Sequence, residues 1–449
     1  MNNLTIEERI ALIKSIAENG GEIIGADELK KILESNEPLF TYDGFEPSGQ
    51  MHIAQGIIRA INTNKMIDAG FTFKMWVADW FGYLNNKMGG DLEKIKVVGQ
   101  YFIEIWKASG MNLDKTEFLW TSDFVSQRWY WELVMKVAKS VTLKRALRTT
   151  EIMGRSENDE LSAAQILYPC MQIADIFGVM KCQVTQLGLD QRKVNIVARE
   201  IGEDIGFWKP VIVSHGMLQG LQKPLDKKRV VIQLQNGSES ILYSASKANI
   251  VLKNLADDHV EIEFVAKNGD DKRNVVLHKG EKAKFFDMDV SFLVDGVLEV
   301  LESTPERLIS MKMSKSKPDT AIFMTDSADE VKSKIMKAYC PEGIIEDNPI
   351  LDYCKQIIFQ ANYLKRKTPL LVNGKFLVER EDRFGGDVEY SNFEELEAAF
   401  KNKELFPLDL KSAVIKYLNE LLQPVRDHFE NDANAKSILE QVKSFQVTR

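Results

Sequence analysis

Apolar positions recur along this chain at two different periods, and the switches between them mark out its elements. From residue 4 to 35 the spacing is helical, with Gly20 and Gly21 punctuating two predicted helices. FTYDGF (40–45) predicts a short strand, and PSG (47–49) predicts a turn. HIAQGIIRAINTNKMIDAG (52–70) predicts a helix with an apolar face of Ile53, Ile57, Ile61 and, further round, Ile67. Gly70 stands where its C-terminal cap belongs. FTFKMWVAD (71–79), TEFLWTSD (116–123), CQVTQLG (182–188) and KPVIVS (209–214) predict four more strands. A helix is expected around 91–108, and DQRKVNIVAREIG predicts another between the last two strands.

Strands alternating with helices point to an α/β fold with a doubly wound parallel sheet. Ligands of such sheets bind beyond the carboxyl ends of the strands. Asp43–Gln55 and Gly188–Gln191 both lie at such ends. The rhythm breaks between about 223 and 309, where RVVIQLQ, VEIEFVAKNG and NVVLHKG are strand-like and the turns are NG and KG. This predicts an inserted, partly β subdomain. The expected division is 1–222, 223–309, 310–345 and 346–449. The last part is mainly helical, with one extended patch near KFLVEREDRFGGDVEYS. Its tail, LKSAVIKYLNELLQPVRDHFE, predicts an amphipathic helix kinked or stopped near Pro424.

Composition narrows the class. With 449 residues, 44% of them hydrophobic and 28% charged, the chain suits a globular enzyme of two or three domains. No uninterrupted apolar run reaches the ~18 residues that a membrane span needs. The N-terminus lacks a signal-peptide core. Cys170, Cys182, Cys340 and Cys354 are scattered, which suits a reducing cytoplasm and argues against a disulfide framework or a zinc site. A net charge of −8 excludes a generally basic nucleic-acid glove, so any RNA must be met by local patches.

The strand, glycine turn and helix start around PSGQMHIAQG make a natural anion site, because backbone N–H groups are unsatisfied there. Gly44 and Gly49 have Walker spacing, but Gln50 and Met51 replace the lysine and hydroxyl residues that reading needs. The dinucleotide fingerprint is absent as well. His52 and Gln55, three apart, would share a helical face and donate toward one phosphate, or His52 would simply cap its own helix. MKMSKSKPD (311–319) puts Lys312 and Lys315 in a hydroxyl-rich loop able to follow a pyrophosphate, or merely solvated.

The two motifs together, in this order, resemble the HIGH and KMSKS signatures of class I aminoacyl-tRNA synthetases. Over most of its length the chain resembles the archaeal and eukaryotic tyrosyl-tRNA synthetases. The stretches that carry this are YDGFEPSGQMHIAQG, VADWFGYLN, YPCMQIADI, LGLDQRKVNIVARE, MKMSKSKPDTAIFM and KAYCPEGIIEDNPI, with a long match near the C-terminus. No counterpart is evident for 223–309. The resemblance implies a Rossmann-like catalytic domain, a C-terminal anticodon-binding domain, and ATP with Mg²⁺ as substrate. It also implies tRNA(Tyr) and L-tyrosine as partners, a homodimer, no membrane and a cytoplasmic location.

By the same resemblance His52, Gln55, Lys312 and Lys315 are catalytic. Tyr42 and Asp175 hold the substrate phenol, and Tyr168, Gln172 and Gln191 its ammonium end. Gly44, His52, Gln55, Gly188, Asp190, Lys312, Met313, Ser314, Lys315 and Ser316 meet ATP, and Asp409 meets the anticodon. Two departures stand out: HIAQ replaces HIGH, and Leu187 occupies a position often glycine. Residue chemistry agrees on tyrosine, since a buried phenol needs both a donor and an acceptor. Tyr168, Gln172 and Asp175 recur at i, i+4 and i+7, one helical face. Two rivals remain: a tryptophanyl-tRNA synthetase, whose indole offers only a donor, and an inactive synthetase-like RNA-binding protein. The basic run TLKRALRTT (142–150) suits acceptor-stem contact or plain solvation equally.

Overall fold

The FTYDGF run is the pivot of a six-stranded sheet. In a computed structural model, residues 4–35, 37–154, 160–234, 240–267, 271–285, 288–313 and 318–445 are described. They form two units, Met1–Leu221 with Met313–Arg449, and Gln222–Lys312.

The first unit begins with α1 (Ile6–Ala17), whose Thr5 and Glu8 form a reciprocal cap, then β1 (Glu22–Ile24) and α2 (Leu29–Glu34). The strand β1 corrects the expectation of helices alone over 4–35. Gly20 turns the chain at φ +76°, and the missing Cβ of Gly21 leaves room for the Ser214 carbonyl. Three residues are too few to show a period.

There follow β2 (Phe40–Phe45), α3 (Arg59–Asp68), β3 (Thr72–Val77), α4 (Asp79–Leu84), α5 (Leu92–Ala108) and β4 (Thr116–Trp120). Next come α6 (Arg128–Ser140), α7 (Leu143–Thr149), α8 (Ala163–Ala174), β5 (Val184–Gly188), α9 (Arg192–Ile201) and β6 (Val211–His215). The strand order is β1-β6-β5-β2-β3-β4; β2 pairs in parallel with β3 and with β5, while β1 is antiparallel to β6. The order reverses between β2 and β5, and a crevice opens at such a switch point. All of β5 and nearly all of β3 is buried, as a sheet covered on both faces requires.

Ala54–Ile58, just before α3, and Asp175–Met180, just after α8, are wide π-helical turns. Ile53, Ile57 and Ile61 are buried, Ile67 is partly so, and Gly70 takes φ +100° beyond the helix end. Ala163–Met180 is long and apolar enough to cross a membrane, yet 67% of it is buried within the fold.

The second unit contains β7 (Lys228–Gln233), β8 (Ser240–Ser244), β9 (Ala248–Leu255), β10 (His259–Ala266) and β11 (Lys272–His278). It continues with β12 (Lys282–Phe285), β13 (Met288–Phe292), β14 (Val297–Glu302) and α10 (Pro305–Ser310). The described strands make two antiparallel four-stranded sheets, β11-β10-β9-β8 and β12-β13-β14-β7. Side chains of both sheets share one core, in which Phe264 stacks on Phe285 with centroids 4.7 Å apart. The unit is thus more fully β than its sequence suggests. Runs such as ANIVLKNL read equally well as helix, and pairing across the sheet decides the matter.

The first unit resumes with α11 (Ala328–Lys337), α12 (Pro349–Tyr353), the hairpin β15 (Phe376–Val378) and β16 (Val388–Tyr390), α13 (Phe393–Lys401), α14 (Pro407–Asn431) and α15 (Ala433–Ser444). Leu418 and Leu422 of α14 belong to the same core cluster as Ile57 and Phe102, so 346–449 has no separate core. The expected stop near Pro424 does not occur: α14 runs through it for 25 residues. Proline cannot donate to the carbonyl four residues back. Arg366 supplies the missing donor, its Nη2 reaching the Glu420 carbonyl at 3.2 Å, while its Nη1 also meets that of Leu421 at 3.4 Å.

Candidate active site

The carboxyl ends of β2 and β5 border a cavity of about 200 Å³. Tyr42 and Gly44 reach it from β2, Tyr168 and Gln172 from α8, and Asp190 and Gln191 from the turn after β5. Seven of the residues expected to touch ligand therefore line one space, Gln55 being the seventh. Asp175 lies off the cavity wall, fully buried beside Trp76 and Tyr130.

The deep end is short of hydrogen bonds. Tyr42 Oη, Trp76 Nε1, Tyr130 Oη and both Asp175 carboxylate oxygens are buried and make no hydrogen bond of good geometry among the described residues, although Tyr130 and Trp76 stand close to Asp175. Burial drives the Asp175 carboxyl well above the usual carboxylate range, against the pull of Tyr130 and Trp76. It pushes the Tyr42 phenol up too, helped by the nearby Cys182 and Asp175 and opposed by Gln172.

The opposite wall is fully bonded. Tyr168 Oη donates to Glu46 Oε1 at 2.6 Å, and Asn85 Nδ2 reaches both Glu46 oxygens at 3.1 and 3.0 Å. Lys87 stands 3.4 Å from the same carboxylate. Gln172 Nε2 donates to Gln191 Oε1 at 3.2 Å, while Gln191 Nε2 donates to the Ile152 carbonyl at 3.1 Å and to Asp190 Oδ2 at 3.2 Å. Two cavity-lining glutamines thus hold each other in place.

The side of the cavity lined by Gly44, Arg59 and Asp190 has an ion pair that sequence reasoning missed. Arg59, on the first turn of α3, pairs with the buried Asp43, which also accepts the Gly44 N–H at 2.7 Å. Burial lowers the guanidinium to about 10, against the pull of Asp190. Gly188 leaves room for Asp190, because a Cβ there would fall 2.3 Å from its Oδ1. Glu46, Arg59, Trp76 and Tyr130 were all absent from the expected set. The only hint was Arg59, a charge inside the apolar run IIRAI.

At the helix start the structure shows the capping alternative: His52 Nδ1 accepts the Gln55 N–H at 3.4 Å. His52 precedes the π-helical turn and lies in an antiparallel bridge with Phe323, so the three-residue rule for one helical face does not apply to it. It is not on the cavity wall, whereas Gln55 is, its Oε1 buried and unpartnered. The backbone donors are also in use: Ile53 N–H binds the Ile322 carbonyl at 2.8 Å, and Gln55 N–H the His52 carbonyl at 2.9 Å.

Met313 packs at the edge of the main core, where Tyr353 Oη approaches its Sδ at 4.0 Å. Lys312 ends the second unit, exposed, its carbonyl accepting from Gln222 at 3.1 Å. Ser314, Lys315 and Ser316 lie outside the described residues. Asp409 is half-buried in the first turn of α14. Within 142–150, Arg145 pairs with Glu200.

The family described as tRNA synthetases class I (W and Y) matches residues 34–225 and 281–423. The cytoplasmic tyrosine–tRNA ligase 1 of Arabidopsis thaliana is 43% identical over 447 residues, 99% of this chain and 90% of its own. This chain belongs to the class I tyrosyl-tRNA synthetases. The tyrosyl-tRNA synthetase of Pyrococcus horikoshii, solved with L-tyrosine, superposes with TM-score 0.72 at 30% identity, covering 98% of this chain and all of that one. The Leishmania major tyrosyl-tRNA synthetase, solved with tyrosinol, gives 0.71 at 34% identity over 99% of this chain, which spans 53% of that longer one. The Arabidopsis alignment runs across the second unit, for which the sequence alone offered no counterpart. Synthetases of this class use ATP as a substrate.

Proposed function

We infer that this chain is a tyrosine–tRNA ligase, which activates L-tyrosine with ATP and transfers it to the 3′ end of tRNA(Tyr) in translation. One observation carries the choice of amino acid: among the described residues, Tyr42 Oη and both Asp175 oxygens are buried and make no hydrogen bond of good geometry. Buried polar groups nearly always find one. A phenol hydroxyl both accepts and donates, and so satisfies Tyr42 and Asp175 together. An indole only donates, which leaves one of them unmatched.

In this reading Tyr168, Gln172 and Gln191, backed by Glu46, receive the substrate ammonium. The tyrosine carboxylate attacks the α-phosphate of ATP in line. The bond from that phosphorus to the bridging oxygen breaks, giving tyrosyl-adenylate and pyrophosphate. Gly44, Gly188 and Asp190 border the adenosine. Gln55 and His52 act as neutral donors to the charge gathering on the phosphoryl oxygens. HIAQ keeps this function without a second imidazole. Resemblance to KMSKS assigns Lys312, Met313, Ser314, Lys315 and Ser316 to the departing pyrophosphate. ATP enters as its Mg²⁺ complex. The protein's share is positioning and electrostatics, with no covalent nucleophile of its own. The terminal ribose hydroxyl of tRNA then takes the tyrosyl group and AMP leaves.

Asp409 is assigned to the anticodon, a reading supported by the exposed Phe406 and Leu408 beside it, since unstacked bases pack on such side chains. Trp129, Trp131 and Met135 of α6 and Leu143 of α7 are large, apolar and exposed, which supports a homodimer through this face. The free cysteines suit the cytoplasm. ATP–pyrophosphate exchange with tyrosine, with tryptophan and with neither tests the central reading. Exchange is expected with tyrosine alone. Exchange with tryptophan would transfer the assignment to the sister enzyme, and tRNA binding without any exchange would make this an inactive RNA-binding protein.

A further inference from the structure

Two of the chain's five histidines lie in the second unit, and the fold sets them opposite each other. His259 opens β10, His278 closes β11, and the two are register partners across the antiparallel pair. Next to them, the Lys279 N–H donates to the Asp258 carbonyl at 3.0 Å. That makes 258 and 279 the hydrogen-bonded pair and 259 and 278 the non-bonded pair, in which side chains stand closer. Their ring centroids are 5.6 Å apart. Asp258 adds a carboxylate, with Oδ1 2.8 Å from His259 Nδ1 and Oδ2 3.9 Å from His278 Nδ1. One ligand atom from each of the three lies within 4.8 Å of the others, and no other three His, Cys, Asp or Glu among the described residues are grouped in this way.

We propose that Asp258, His259 and His278 bind one divalent transition-metal ion of the zinc type, which clips β10 to β11 at the open end of their hairpin. Two imidazoles and one carboxylate suit zinc and its neighbours, whereas magnesium and calcium prefer an all-oxygen shell. Metal–ligand bonds of about 2.0–2.1 Å place tetrahedral ligands about 3.3 Å apart, so these atoms need to draw in by no more than about 1.5 Å. Side chains of Asp258 and His278 are 75% and 57% exposed and free to make that movement. Water completes the shell, while Glu261 stands 4.0 Å from the other ring nitrogen of His259, Nε2. The synthetase family match omits residues 226–280, so this ion would serve the second unit's own fold and not the ligation chemistry.

The test is a calorimetric titration of the chelator-treated full chain with Zn²⁺, alongside His278→Ala and Asp258→Asn. One saturable ion per chain is expected, with affinity lower by at least about tenfold in each variant. Zinc should also raise the unfolding temperature of the wild type and not of the variants. Both substituted side chains are exposed, and circular dichroism checks that the variants keep the β fold. Absence of saturable binding, or equal binding by all three proteins, would overturn the proposal.

Discussion

His52 and Phe323 face each other across a two-residue antiparallel bridge, locked by Ile53 N–H to the Ile322 carbonyl at 2.8 Å and Met324 N–H to the Met51 carbonyl at 2.9 Å. The HIAQ signature and the segment leaving the lysine loop are thus joined through backbone, independently of side chains. Shifting one strand of the bridge shifts the other.

Gly56 tests that joint. A Cβ there would fall 2.2 Å from Met324 Sδ and 2.6 Å from its Cγ, and both residues are buried. Gly56→Ala should cost about 1–3 kcal/mol of stability and slow tyrosine-dependent exchange. Adding Met324→Ala clears the space, so the double variant should be more stable than the sum of the single losses. Urea unfolding of the four proteins measures the coupling, and strict additivity would rule it out.

Tyr42→Phe should separate stability from function. The hydroxyl it removes is buried and makes no hydrogen bond of good geometry among the described residues, a burden of about 1–3 kcal/mol on the free protein. The empty variant should therefore melt at the wild-type temperature or above, while its KM for tyrosine rises about tenfold, worth about 1.4 kcal/mol. A lower melting temperature without substrate would show that the hydroxyl has a structural partner.

His215 predicts a pH dependence. It is the register partner of Gly188, and its Nδ1 is 2.9 Å from Gln186 Nε2. Burial, and then the positive Arg59, lower its imidazole from 6.5 to about 3. The unfolded chain takes up the proton first, so this contribution is complete above 6.5 and is lost as pH falls toward about 3. One such group contributes a slope of at most about 1.4 kcal/mol per pH unit. Urea midpoints of His215→Gln should fall less steeply over that range, and an unchanged slope would exclude the role.

Arg366 and Pro424 form a double-mutant cycle. Arg366→Ala strips the Glu420 carbonyl of its donor and that of Leu421 of a second one, and should cost about 1–2 kcal/mol. In a Pro424→Ala background the restored N–H reaches Glu420 itself, so the same substitution should cost less. Thermal unfolding gives the comparison; equal losses in both backgrounds would mean that Arg366 acts elsewhere.

What could be read from residues alone follows the length of the signal. The strand FTYDGF coincides with β2 to the residue, because its apolar run is bounded by turn formers and buried on both faces. EII, at three residues, is too short to carry a period and joins the sheet only because β6 offers an edge. Tyr168 and Gln172 were legible as one helical face. Glu46 and Arg59 were not, since a carboxylate or guanidinium earns its role from what the fold brings opposite it. The bridge that holds His52 was not legible either, since its partner Phe323 lies far along the chain.

The π-helical turns at Ala54–Ile58 and Asp175–Met180 give the crevice an unusual sensitivity. Each holds one residue more than the surrounding α-helical period, and each sits where a polar side chain is aimed. Losing a single residue there would regularise the helix and abolish the wide turn, and with it the aim of the polar side chain it carries. Natural variation at these two points should therefore run through changes of side chain at constant length, whereas surface connections elsewhere absorb gains and losses freely.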